Sequence, residues 1–237
     1  MRNVVVTGAA RGLGRALVNE FASRGITVHG AVRSETDVEE LRAKYGAPHR
    51  FLAADVTDPE QLEGFARDAF ESGGVDIVVA NAGVINERAP VWEIPGPTWR
   101  RALDVNLLGV VNTIKAFLPG MIAARKGLFI GMSSGWGRSA SAGLGPYCAG
   151  KFAVEGLMGS LALDLADKQS PVAAVALDPG GGVNTDMLVS CLPESHEQFR
   201  SPDVWAKGAV DYIVDRLFLD AKSGSLEIPE SAHAPYE

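Results

Sequence analysis

The sequence predicts an α/β fold built on a doubly wound, mostly parallel seven-stranded sheet flanked by helices, and three observations carry that expectation. Short apolar runs alternate with longer helix-period segments along the whole chain. The runs are nearly all-apolar rather than alternating, as strands buried on both faces of a parallel sheet are. The first run passes directly into a glycine-rich turn and then a helical pattern, the opening of a right-handed crossover.

In chain order, a strand is expected over 3–7 and a helix over 12–24. The second strand, over 27–32, leads to a helix over 37–45, whose start is marked by the capping-box spacing of Thr36 and Glu39. A third strand over 50–54 precedes a helix over 59–70, with Asp58 as its natural cap. The fourth strand, over 76–80, is followed by a long helical pattern over 97–125. Strands over 128–133 and 173–177 enclose a helix over 146–168, and a helix over 202–219 precedes a last strand over 225–228. The pattern contains no repeat and no linker, so one Rossmann-type domain is expected over 1–237. Residues 184–202 read as a lid over the substrate, and the polar tail 231–237 as frayed.

Bulk properties narrow the function. A chain of 237 residues with 46% apolar content suffices for one α/β core. A net charge of −7 argues against nucleic acid or an anionic membrane as the main partner. Cys148 and Cys191 are too few for a disulfide framework and fit a reduced, cytoplasmic setting. His29, His49, His196 and His233 lack metal-ligand spacing, so no metal is expected. No apolar run reads as long enough to cross a bilayer. The first strand begins so early that no signal or transit peptide is expected.

The glycine-rich turn carries the first functional signal. Gly8, Gly12 and Gly14, with Arg11 and Leu13 between them, follow a strand and open a helix. Such a turn lets backbone approach a pyrophosphate at a helix N-terminus, where free N–H groups and the dipole favour an anion. An acid at the end of the second strand would hold a ribose 2′-hydroxyl, but Val32 stands there and Arg33 follows. Arg33 and Arg11 together suit a 2′-phosphate, so NADP(H) is favoured over NAD(H). Asp55 and Val56 follow the third strand, where a carboxylate can accept from an adenine amino group; capping the next helix is the competing role for Asp55. The small residues of Asn81-Ala82-Gly83 let a cofactor lie on the backbone, although Asn81 also suits tying neighbouring strands together.

The second signal is Tyr147 and Lys151, four residues apart in a helical segment and therefore on one face. An ammonium beside a phenol favours the phenolate, which predicts a tyrosine that loses its proton near neutral pH. The helix that carries them spreads Phe152, Val154, Leu157, Met158, Leu161 and Leu165 around much of its circumference. So little polar face implies deep burial or contact with another subunit, and a homodimer or homotetramer is expected.

Thr7-Gly8-x-x-x-Gly12-x-Gly14, Asn81-Ala82-Gly83, Asn106, Ser134, Tyr147-x-x-x-Lys151 and Pro179-Gly180 occur in the order and spacing of the short-chain dehydrogenases/reductases, which this chain resembles over almost its full length. The resemblance implies that Tyr147 exchanges a proton with a carbonyl or alcohol oxygen, and that Ser134 orients that oxygen. It further implies that Lys151 binds the nicotinamide ribose and that Asn106 holds a water in a proton relay. Around the site, the stretch from Met132 to Ser139 and the stretch from Val183 to Leu188 are similar to the NADPH-dependent pterin aldehyde reductases of plants. Trp136 would then face a planar heterocycle or pack beneath its loop, and Met187 would line the substrate side of the lid.

Three departures from the family pattern stand out. Gly150 replaces the usual serine before the lysine and predicts a looser Tyr–Lys geometry, since helical glycine costs about 0.5–1 kcal/mol. Pro179-Gly180-Gly181-Gly182-Val183-Asn184-Thr185 carries one glycine more than usual at the nicotinamide amide, with an expected effect on lid closure. The usual Asp-Gly-Gly after the last strand is absent.

The leading expectation is thus an NADPH-dependent reductase of an aldehyde or ketone, a pterin aldehyde or similar planar carbonyl among them. Its alternatives are an alcohol or sugar dehydrogenase working oxidatively, and a non-catalytic NADP(H) sensor. Cofactor preference separates the first two. Retention of Ser134, Tyr147, Lys151 and Asn106 argues against the third.

Overall fold

Seven segments form a single sheet: β1 (Asn3–Thr7), β2 (Thr27–Val32), β3 (Arg50–Ala53), β4 (Ile77–Ala80), β5 (Leu128–Met132), β6 (Ala173–Asp178) and β7 (Gly224–Glu227). Between them run α1 (Gly12–Ser23), α2 (Glu35–Tyr45), α3 (Pro59–Glu71), α4 (Gly96–Leu103), α5 (Gly109–Ala124), α6 (Gly145–Asp167), α7 (Asp186–Cys191) and α8 (Pro202–Asp211). The structure, a computed structural model, describes residues 2–220 and 223–229, so the tail expected to fray lies outside the described residues. The strand order is β3-β2-β1-β4-β5-β6-β7, and every pair is parallel.

Strand alternation distributes β1 between two cores. Val4 and Val6 join Leu17 and Phe21 of α1, Val38 and Leu41 of α2 and Trp205 of α8 on one face. Val5 joins Phe65 of α3, Phe117 of α5 and Val154 and Met158 of α6 on the other. Each large side chain removed from water on either face contributes roughly 1.5–3 kcal/mol, which is why the strands lack a polar phase. Strand order reverses direction between β1 and β4, and the crevice beyond their carboxyl ends is where such sheets hold ligands.

Three expectations about the helices change. The cap of α2 is Ser34, whose hydroxyl accepts from Asp37 N, so the helix begins before the Thr36–Glu39 box. The Ser34-x-x-Asp37 spacing provides an equivalent cap two residues earlier. The 97–125 pattern is two helices joined through a π turn over Asp104–Leu108. Together they make a helix over Gly96–Ala124 that is long and apolar enough to cross a membrane, contrary to the expectation of no such run. Here it lines the sheet, with Phe117 and Met121 buried against β4 and β5, while Leu108 and Ile122 stay exposed. On α6, Val154, Met158, Leu161 and Leu165 are buried, whereas Phe152 and Leu163 are 45% and 69% exposed.

Candidate active site

The glycine-rich turn fits a cofactor cradle by sterics. Gly8 sits at φ +68, and a Cβ there would lie 2.9 Å from Ala82 Cα. A Cβ on Gly14 would lie 2.1 Å from the Gly8 carbonyl oxygen, so any side chain at that position drives the turn apart. Thr7 Oγ1 accepts from Asn81 N at 3.0 Å and Ala82 N at 3.1 Å, while Asn81 Nδ2 donates to Thr7 O at 2.9 Å. Asn81 therefore ties β1 to β4, and Ala82 and Gly83 continue along the crevice floor. Arg11 occupies the N-cap of α1 in extended conformation, and no side chain caps the helix. Leu13 packs partly buried beneath the turn. The first N–H groups of α1 are left for an anion, as a pyrophosphate site requires.

A cavity of about 710 Å³ opens at the β2–β3 end of the crevice, lined by Arg33, Asp55, Arg100, Arg101, Asp104 and Val105, among others. Asp55 Oδ1 accepts from Thr57 N at 2.9 Å and Thr57 Oγ1 at 2.8 Å, and Asp58 caps α3. That leaves Asp55 in the cavity rather than on the helix, and Val56 lies buried behind it. Arg33 lines the cavity, and Arg11 stands at the N-cap of α1 beside the glycine-rich turn. The partners that sequence reasoning missed are Arg100 and Arg101 of α4. Nothing in the linear order links Trp99-Arg100-Arg101 to the β2 end, because the link is the crossover itself.

At the other end, Tyr147 and Lys151 are buried, with 7% and 4% exposure. The Ser134 hydroxyl hydrogen-bonds the Tyr147 phenol and also accepts from Trp136 N at 3.2 Å. Lys151 Nζ donates to Met132 O at 2.7 Å and lies 5.7 Å from the centre of the Tyr147 ring. Burial pushes the Tyr147 phenol up to about 12, against the Ser134 hydrogen bond that opposes it. Burial likewise brings the Lys151 ammonium down to about 8, against the Asp178 charge. The expectation of a tyrosine ionising near neutral pH is therefore wrong for the protein alone: desolvation of the phenolate outweighs anything the ammonium supplies.

The Lys151 shift makes a prediction. Its folded value lies near 8 against 10.5 in the unfolded chain, so the unfolded chain holds the proton between those values. This group's contribution to stability is thus complete above 10.5 and is lost as pH falls through about 8. Relative to Lys151→Met, wild-type unfolding free energy should rise by about 3 kcal/mol across that window. Urea titrations at several pH values read it; a constant difference contradicts the shift.

Gly150 has a packing role in the structure. A Cβ there would lie 3.1 Å from Asn106 Cβ, so glycine permits α6 to press on the π turn that carries Asn106. Asn106 accepts from Val84 N at 2.8 Å and donates to Val84 O at 2.8 Å. These two hydrogen bonds make its side chain a brace for the following loop.

Trp136 sets its edge against the Tyr147 ring at 6.0 Å and 86°, and Arg88 covers it with the guanidinium 5.8 Å from the ring centre. Arg88 Nε also donates to Cys191 O at 2.9 Å, pinning α7 to this wall. Met187, Leu188 and Leu192 of the lid pack on Leu144, Tyr147, Cys148 and Cys191. The Cys191 thiol is held up by burial and is unreactive packing. Trp205 Nε1 donates to Pro179 O at 2.8 Å. Gly180, at φ +74, passes so close to Ile228 that a Cβ would meet its carbonyl at 2.2 Å. A Cβ on Gly182 would strike the Phe199 ring at 2.3 Å, so the glycine-rich loop packs under the lid segment. Val183 is buried there, and Thr185 caps α7 through Leu188 N while its methyl faces Gly12. The lid start and the glycine-rich turn thus border one groove.

The short chain dehydrogenase family profile matches residues 2–195. An NADPH-dependent pterin aldehyde reductase of Arabidopsis thaliana is 39% identical over 230 residues, covering 96% of this chain and 93% of that protein. A crystal structure of a 3-oxoacyl-[acyl-carrier protein] reductase from Brucella melitensis superposes with a TM-score of 0.80 at 30% identity, covering 95% of this chain and 90% of the other. A short chain dehydrogenase from Shigella flexneri, complexed with NADP, has the same fold with a TM-score of 0.83 at 24% identity, covering 96% of each chain.

Proposed function

The chain belongs to the short-chain dehydrogenase family, and from that premise we propose that it is an NADPH-dependent reductase of an aldehyde or ketone, with a pterin aldehyde or similar planar carbonyl as the substrate class. The observation that carries the reading is the buried Tyr147 phenol, bonded to Ser134, one helical turn from the Lys151 ammonium.

The bound dinucleotide supplies the hydride. Gly8, Arg11, Gly12, Leu13 and Gly14 are the residues that would hold its pyrophosphate, Asp55 and Val56 its adenine, and Asn81, Ala82 and Gly83 its backbone-facing side. Pro179, Gly180, Val183 and Thr185 border the nicotinamide end, where Tyr147 and Lys151 also stand. The clashes that a Cβ would cause at Gly8 and Gly14 support that assignment. Arg33 supports NADP(H) over NAD(H), and Arg100 and Arg101 in the same cavity add positive charge for a 2′-phosphate.

Tyr147 keeps its proton at neutral pH and gives it to the carbonyl oxygen as that oxygen becomes an alcohol. Ser134 Oγ hydrogen-bonds the same oxygen and fixes its distance from the phenol. Lys151, charged below about 8, holds the nicotinamide ribose. Trp136 offers its free face to a flat substrate, and Met187 closes over it. A phenol near 12 carries its proton at neutral pH, which is the state that reduction of a carbonyl starts from. A panel of carbonyl compounds that includes pterin aldehydes, followed by NADPH absorbance, tests the reading; consumption with none of them contradicts it.

Self-association belongs to the same reading. Leu108, Ile122, Phe152 and Leu163 leave apolar surface on the helices flanking β4 to β6, and a homodimer or homotetramer would cover it. Sedimentation velocity at micromolar concentration should give an oligomer, and a monomer would contradict this. The two unpaired cysteines support a reduced, cytoplasmic setting.

A further inference from the structure

A buried carboxylate stands beside the Tyr147–Lys151 pair and has no part in the chemistry above. Asp178 ends β6 and is almost wholly buried. In the β5–β6 register Met132 faces Leu177, and Met132 O is the acceptor of the Lys151 ammonium. Asp178 therefore follows directly on the strand partner of the lysine's anchor.

Its two oxygens are both fixed. Oδ1 accepts from Gly180 N at 3.1 Å, which ties it to the loop at the nicotinamide end. Oδ2 takes Arg138 Nη2 at 3.0 Å and faces Gly135, one residue past Ser134, whose Cβ would lie 3.6 Å away. Arg138 also reaches Glu155 at 3.3 Å, Glu227 at 3.4 Å and Leu226 O at 3.2 Å. Glu155 in turn accepts from the Ser133 hydroxyl. Three carboxylates share one guanidinium, so the cluster keeps a negative excess, and the buried cation next to it is Lys151.

We propose that Asp178, clamped by Arg138 one residue past the strand partner of Met132, is a positioning residue that keeps Lys151 charged for the nicotinamide ribose. The inference rests on the reductase reading and deepens it by naming the group that holds the ribose-binding lysine in its charged form. Asp178 is the charge that opposes burial at Lys151, and it also raises the Tyr147 phenol. Other groups face the pair from each element packed on it. Cys191 of α7 and Cys148 of α6 raise the phenol further, and the Ser134 hydroxyl lowers it. Glu155 of α6 and Glu227 of β7 act on Asp178, which burial raises and the Gly180 N–H and Arg138 hold down.

The test reads Lys151 without substrate. The pH at which the stability difference between a protein and its Lys151→Met variant begins to close gives the folded lysine's midpoint. That midpoint should fall by about one pH unit in Asp178→Asn, an isostere that keeps an acceptor for Gly180 N–H. In Asp178→Glu it should stay near its wild-type position. The alkaline limb of the reductive kcat/KM should move down with it in Asp178→Asn. If Asp178→Asn does not fold, Arg138→Gln substitutes for it. Removing that cation should move the midpoint upward. An unmoved midpoint in the folded variant overturns the inference. A moved midpoint alongside a carbonyl panel without turnover would leave this electrostatic role standing and reject the reductase reading instead.

Discussion

Tyr147→Phe is expected to lower kcat/KM for carbonyl reduction by about 10²–10⁴ or more, the range that a positioned general acid supplies. The reason lies in how few proton donors reach the site. Tyr147 is buried beneath Met187 and Leu192 of the lid segment, and the Ser134 hydroxyl is the polar group that meets it. Lys151 spends its ammonium on Met132 O. Phenylalanine keeps the ring that packs against Trp136, so the wall and the fold survive while the donor is lost. NADPH binding, followed by fluorescence quenching, should persist within a few-fold. A variant with near-normal turnover would remove the acid role from Tyr147, and one that no longer binds NADPH would mean the ring's packing was what mattered.

The second large effect is expected at Arg33. It stands at the mouth of the adenosine cavity with Asp55, Arg100 and Arg101, where a 2′-phosphate is the group that distinguishes the two coenzymes. A charge-assisted bond to phosphate is worth about 1.5–3 kcal/mol, and a carboxylate in its place adds repulsion. Arg33→Glu should therefore shift the ratio of kcat/KM for NADPH over NADH by about 100-fold towards NADH. Because Arg100 and Arg101 remain, some NADPH use should persist. Initial rates with each coenzyme measure the ratio, and an unchanged one would show that Arg33 faces solvent and that α4 alone reads the phosphate.

Much of this was legible because parallel strands leave a plain trace. Runs such as Val4-Val5-Val6 and Ile77-Val78-Val79 are apolar without alternation because both faces are covered. Gly8, Gly12 and Gly14 could be placed because backbone sterics act locally, and Tyr147 and Lys151 because helical spacing does. What stayed hidden depends on depth or on distance along the chain. The phenol's proton affinity follows from burial under the lid, which spacing does not encode. Arg100 reaches the β2 end, and Asp178 reaches Lys151, only through crossovers of the sheet. Gly150 looked like a weakness in the helix, yet its missing side chain is the room that Asn106 occupies.

The central claim is that this protein moves hydride from NADPH to a carbonyl carbon while Tyr147 protonates the oxygen. Incubation with NADPH deuterated at the transferable position of its nicotinamide, followed by mass spectrometry of the product, tests it most directly. The expected product is an alcohol carrying one deuterium on the former carbonyl carbon, formed by the wild type and not by Tyr147→Phe. An alcohol without deuterium, or equal labelling by the two proteins, would contradict the account.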